Sequence, residues 1–99
     1  MERWEYIEVR FLADIYRIYF YPEDKIDTTK IKQAFKNRGE LEIEQQRNSA
    51  YLYFGHYGRV EGSDFVLALN ILGQGGWEAF AASDSEGRQS VFLKRRIEK

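Results

Sequence analysis

Residues 69–80, LNILGQGGWEAF, constrain this chain more than any other stretch. A helix-spaced apolar run halts at Gly73, turns through Gly75 and Gly76, and resumes on Trp77. Upstream, Phe65, Ala68, Leu69 and Leu72 stand at i, i+3, i+4 and i+7, which is one face of a helix. Val66, Leu67 and Ile71 widen that stripe, so the spacing predicts a helix buried on most sides, with Ser63 or Asp64 capping its start. Gly73 is the expected stop, since a residue without a Cβ enters the left-handed conformation at little cost. Trp77, Ala79 and Ala81 then share one face of a strand, with Glu78, Phe80 and Ala82 on the other, and the alanines are small enough to let a helix approach. After the polar loop SDSEGRQS (83–90), VFLKRRI (91–97) returns as the partner strand. The expected unit is a helix folded back onto a sheet.

The rest of the chain supplies more of the same. From Arg3 to Phe11, Glu5, Ile7, Val9 and Phe11 alternate with Trp4, Tyr6, Glu8 and Arg10, a strand with one core face. Residues 15–21 repeat the pattern, with Tyr16, Ile18 and Phe20 on one side and Ile15, Arg17, Tyr19 and Tyr21 on the other. Leu12, Ala13 and Asp14 are the expected turn between the two strands, and Pro22, lacking an N–H, ends the second. A helix follows: Asp27 caps it, Ile26 staples onto Ile31, the core stripe is Ile31, Ala34 and Phe35, and Gly39 stops it. Leu41 and Ile43 alternate with Glu40, Glu42 and Glu44, then a turn near Asn48 and Ser49 leads into Tyr51–Phe54. The order ββαββαββ predicts a single α+β domain, a largely antiparallel sheet of about six strands with two helices packed on one face.

Three segments also carry a resemblance. The opening RWEYIEV, the LNILGQGGWEAF helix and turn, and the closing VFLKRR resemble the small prokaryotic and phage domain family of unknown function numbered 4177. Members open with a Trp-Glu-Tyr strand, pass through a Leu-Gly-x-x-Gly-Trp-Glu helix and turn, and end in a Phe-Lys-Arg-Pro strand. The resemblance covers roughly residues 3–11 and 64–96, leaves residues 12–62 as an insertion, and meets Arg96 where the family has proline. It implies a prokaryotic or phage setting and brings no catalytic or binding residue with it.

Composition narrows the function classes. Fifteen basic residues face sixteen acidic ones, so no global field draws the chain to nucleic acid or an anionic membrane. The absence of cysteine excludes disulfides, thiolate metal sites and a cysteine nucleophile. The charged opening holds no apolar run long enough for a signal peptide or membrane span, so a soluble, cytoplasmic protein is expected. His56, the one histidine, sits in the glycine-rich loop GHYGRVEG (55–62). Beside Arg59 or Glu61 it is a candidate ligand-binding or catalytic group, against the plainer reading of an exposed or turn-packing histidine. GQGG follows a helix, whereas glycines that cradle phosphate precede one.

Aromatic residues make up 16% of the chain, and they carry the strongest functional candidate. Arg17, Tyr19, Tyr21, Tyr51 and Tyr53 share one sheet face if their two strands are neighbours, and Lys94, Arg95 and Arg96 end the last strand. Rings beside guanidinium groups stack on the bases of single-stranded nucleic acid or on a nucleotide. The competing reading has one tyrosine row under the helices and the other merely covering the open face. The expectation is a non-catalytic binding module acting through protein or small-ligand contacts, without cofactor or metal. Single-stranded nucleic-acid or nucleotide binding is the alternative, and an enzyme using His56 with a carboxylate ranks last. An exposed aromatic face also invites a homodimer.

Overall fold

The computed structural model of the protein describes residues 2–36, 38, 40–55 and 58–97. Alternating side chains build six strands: β1 (Trp4–Leu12), β2 (Arg17–Tyr21), β3 (Leu41–Gln45), β4 (Ala50–Phe54), β5 (Glu78–Ser85) and β6 (Arg88–Arg96). Two helices interrupt them, α1 (Thr28–Ala34) after a short 3-10 turn, and α2 (Gly62–Gln74). All strand pairs are antiparallel, in the order β3-β4-β2-β1-β6-β5. This is the expected α+β fold, ββαββαββ in sequence. No helix among the described residues is long and apolar enough to cross a membrane.

Strand parity decides where the core lies. Ile7, Val9 and Phe11 of β1, Ile18 and Phe20 of β2, Leu52 of β4 and Leu93 of β6 all point to one side and are buried. Onto that side pack Ile31 and Phe35 from α1 and Phe65, Ala68 and Leu72 from α2. Phe65 stacks on Phe11 with ring centroids 5.5 Å apart, which seats the start of α2 over the far end of β1. Asp27 caps α1 as expected, its carboxylate accepting from the Lys30 N–H at 3.2 Å, and both Ile26 and Ile31 are buried. The stop assigned to Gly39 lies outside the described residues.

Several expectations are corrected. The first turn runs through residues 13–16, so Tyr16 leaves the core face; its φ is 55° and it is 39% exposed. Neither Ser63 nor Asp64 is the N-cap of α2: Glu61 holds that position, and Asp64 sits two residues inside the helix start. There its carboxylate accepts from the Glu61 N–H at 2.8 Å and from Arg38 Nε and Nη2 at 2.8 and 2.7 Å. Nor is α2 buried on most sides. Phe65, Ala68 and Leu72 turn inward, Leu67, Leu69 and Ile71 are half-buried, and Val66 is 56% exposed. The helix lies on one face of a single sheet with only α1 beside it, so its outer flank has no layer to meet.

The glycine turn also differs in detail. The helix continues through Gly73 to Gln74, and Gly76 takes the positive φ, 95°, because the chain must swing back beneath Arg95 there. A Cβ on Gly76 would lie 3.4 Å from Arg95 Cδ. Between Ala79 and Ala81 the pairing with β6 shifts register, so Phe80 occupies a bulge and the simple alternation of this strand breaks. No helix covers the alanines: all eight residues of β5 are exposed. The segment 83–90 is mostly strand, closed by a tight turn at Glu86 and Gly87, where Gly87 takes φ 70°.

Asp64 is 2% exposed. Burial alone pushes its carboxyl up, but the Arg38 hydrogen bonds, the Glu61 N–H and the Arg38 charge outweigh it and hold the pKa below the ordinary value. A carboxyl depressed in the folded state contributes stability above its unfolded pKa, and that contribution is lost as pH falls through the folded one. Asp64→Asn should therefore cost about 1–3 kcal/mol at neutral pH, and should flatten the acid limb of the stability curve. Urea unfolding of both proteins from about pH 7 to about pH 3 measures this; an unchanged midpoint at neutral pH would show the contact to be worthless.

Candidate functional site

The side of the sheet away from the helices carries the residues left over by parity. On β2 these are Arg17, Tyr19 and Tyr21, and on β4 Tyr51 and Tyr53. Antiparallel pairing of β2 with β4 sets Tyr19 directly opposite Tyr51, so the five candidate residues do meet on one face. Tyr19 and Tyr51 have ring centroids 5.1 Å apart, Tyr51 and Tyr53 5.7 Å, and Tyr19 and Tyr21 6.0 Å with planes only 11° apart. Rings at these separations attract one another beyond their simple burial.

Two arginines lock the cluster. The Arg17 guanidinium lies 4.4 Å from the Tyr51 ring centroid and donates to Tyr19 Oη at 3.1 Å. Arg10, on the neighbouring β1, lies 5.4 Å from the Tyr21 centroid and is oriented by two hydrogen bonds to Glu8, at 3.1 and 2.8 Å. Tyr51 is itself buried and donates its hydroxyl to Glu44 Oε2 at 2.5 Å. That hydrogen bond to an anion pushes the Tyr51 phenol above its ordinary pKa, with burial adding to it. Burial raises Tyr21 as well, against the pull of Arg10. Cation–π contacts and paired charges thus fix a surface of aromatic rims and edges, with Glu8, Glu42 and Glu44 interspersed among the arginines.

A second aromatic group on the same face was not singled out by sequence. Lys94 Nζ lies 4.5 Å from the Trp4 ring centroid and 5.9 Å from that of Phe80, while Tyr6 meets Phe80 edge-on at 5.8 Å. Tyr6 and Phe80 are each more than half exposed, at 54% and 52%. The alternation of β1 already placed Trp4, Tyr6 and Arg10 on the outer side; what was missing was the pairing of β1 with β6 and the bulge that swings Phe80 to them. The terminal basic run does not form one patch. Arg95 turns to the helix side, 4.3 Å from the Trp77 ring, with bonds to Glu5 at 3.0 Å and to the Gly75 carbonyl at 3.3 Å, while Arg96 pairs with Glu2.

Of the loop candidates, Arg59 lies over the Tyr16 ring at 5.1 Å in the β1–β2 turn, and His56 lies outside the described residues. No group of three or more His, Asp or Glu side chains among the described residues is arranged to hold a metal ion. On the helix side a half-open cavity of about 340 Å³ lies between α1 and the end of α2, lined in part by Lys25, Lys30, Ile31, Leu72, Trp77 and Arg95. Its charge is largely compensated, since Lys25 and Arg95 both pair with Glu5.

No protein-family model matches this chain, and no curated protein matches it. Among solved structures it is similar to the crystal structure of a conserved kinetoplastid-specific protein from Trypanosoma cruzi. The TM-score is 0.61 at 14% sequence identity, over 98% of this chain and 97% of that one. At that identity the likeness establishes a shared fold.

The raised phenols give the site a direct check. A tyrosine whose pKa is raised on folding favours the folded state below its unfolded pKa and loses that contribution as pH rises through the folded one. In an ultraviolet titration, the folded protein should show a late-ionising group that Tyr51→Phe removes and that Glu44→Gln brings back toward the ordinary range. Simultaneous ionisation of all phenols at the free-tyrosine pKa would contradict the pairing.

Proposed function

We propose that this protein is a cytoplasmic, non-catalytic binding module that docks a partner protein on the helix-free face of its sheet, at the Arg17, Tyr19, Tyr21, Tyr51 and Tyr53 cluster. The supporting observation is the opposed Tyr19–Tyr51 pair under Arg17, an aromatic surface held by ring contacts and by the Arg17–Tyr19 and Tyr51–Glu44 hydrogen bonds. Tyrosine and arginine are the residues that anchor protein interfaces, because a stiff ring presents much contact area with little entropy to lose. Glu8, Glu42 and Glu44 on the same face work against a phosphate backbone and suit a partner of mixed charge. A second reading, single-stranded nucleic acid or a nucleotide, is favoured by the nearly parallel Tyr19 and Tyr21 rings beside two arginines.

Kinship with family 4177 belongs to the same proposal. The segments that carry the resemblance form β1, α2, β5 and β6, and β1 pairs with β6 from Trp4↔Arg96 to Leu12↔Arg88. Residues 12–62 supply β2, α1, β3 and β4, and with them all five residues of the tyrosine–arginine cluster. On this view the insertion carries the binding surface.

The test is paired retention. Tagged protein and a Tyr19→Ser/Tyr53→Ser variant are used to retrieve proteins from host extract, and both are passed over single-stranded oligonucleotide resin at about 50 and about 200 mM salt. The expected result is a stoichiometric protein that the variant fails to hold, with no oligonucleotide retention. Retention on the resin that collapses with salt and with the variant would replace the protein reading by the nucleic-acid one.

A further inference from the structure

The tyrosine cluster lies on β4 and β2, whereas the most exposed element, β5, forms the opposite edge of the sheet. An edge strand presents a row of unpaired N–H and C=O groups, and proteins ordinarily guard it with charge, proline or brevity. The other edge is guarded: β3 has five residues, two of them glutamates, Glu42 and Glu44. β5 has eight residues and no charge or proline between Glu78 and Asp84. The helix side of the arm is open too, with a depression of about 270 Å³ between Phe65, Ala82 and Val91.

We propose that β5 pairs antiparallel with β5 of a second copy of this chain about a two-fold axis at Ala82, joining two sheets into one. Side-chain parity limits the axis to a residue, and Ala82 is the one about which the whole strand, Phe80 aside, is paired. Opposed residues in an antiparallel pair must point to the same face, so the axis passes through a residue, and Phe80 in its bulge drops out of the count. Centred on Ala82, the pairing sets Ala81 against Ser83, Ala79 against Asp84 and Glu78 against Ser85, with no like charges opposed and only small side chains near the axis.

Charge selects the same partner. The tip of the β5–β6 arm carries Asp84, Glu86 and Arg88, which form no ion pair among the described residues. Its base carries Glu78, Lys94 and Arg96. Two-fold antiparallel pairing lays each tip along the other copy's base, where Glu78 already faces Lys94 at 3.8 Å, and sets Arg88 in the same cross-strand row as the other copy's Glu78, one strand beyond Ser85. Because the β3 edge is acidic and repels its own copy, the association closes at two chains. The self-association expected of an exposed aromatic face is thereby placed at a strand edge instead, and goes beyond the proposed binding face, which stays open.

Light scattering on the whole chain at about 50 µM, where a micromolar association is largely formed, should give a dimer, and Ala82→Lys should give a folded monomer. Ala82→Cys provides an independent check in a chain without cysteine. Opposed Cα atoms about 4.5–5.5 Å apart suit a disulfide, so mild oxidation should yield a covalent dimer, while Glu42→Cys on β3 should not. A monomeric wild type, a dimer that Ala82→Lys leaves intact, or cross-linking no faster at position 82 than at position 42 each overturns the proposal.

Discussion

The two-sided pairing of β1 is the constraint on which the rest depends. All nine of its residues pair with β6, and five of them pair with β2, so the strand is fixed in register from both flanks. A slip of one residue would carry Ile7, Val9 and Phe11 to the solvent face and Trp4, Tyr6 and Arg10 into the core. With that register held, parity passes outward through β2 to β4 and through β6 to β5. The helices then settle where the apolar rows converge, and Asp64 with Arg38 ties the start of α2 to the chain following α1.

The face opposite the helices shows how an uncovered sheet surface is made tolerable in water. Tyrosines place apolar rings over the strands and keep their hydroxyls wet or paired, and arginines lie across the rings as half-charged, half-flat lids. Glu8 and Glu44 anchor Arg10 and Tyr51, so few groups on this surface are free to reorganise. A preorganised surface loses little side-chain entropy on contact, which is the physical basis of the docking role proposed for it.

The two sheet edges divide the molecule differently. One end of the sheet is short, acidic and flanked by the tyrosine cluster; the other is long, uncharged between Glu78 and Asp84, and exposed along its whole length. The asymmetry follows the chain, since residues 12–62 build the first end, and β1 with residues 64–96 builds the second.

The order of elements, the core faces of β1 and β2, the Asp27 cap, and the common side of Arg17, Tyr19 and Tyr21 on one strand and of Tyr51 and Tyr53 on another were legible in the amino-acid sequence, because each follows from a local period of two or from a turn chemistry confined to a few residues. Local pattern was silent wherever a distant contact intervened. The role of Asp64 depends on Arg38, twenty-six positions away, the exposure of Val66 depends on there being no second layer over α2, and the bulge at Phe80 depends on β6. The same holds for Lys94 between Trp4 and Phe80, three residues from opposite ends of the chain. Sequence determined which way each side chain points along its own strand; only the tertiary structure decided what it points at, because strand order and register are set by pairings between segments that carry no local record of one another.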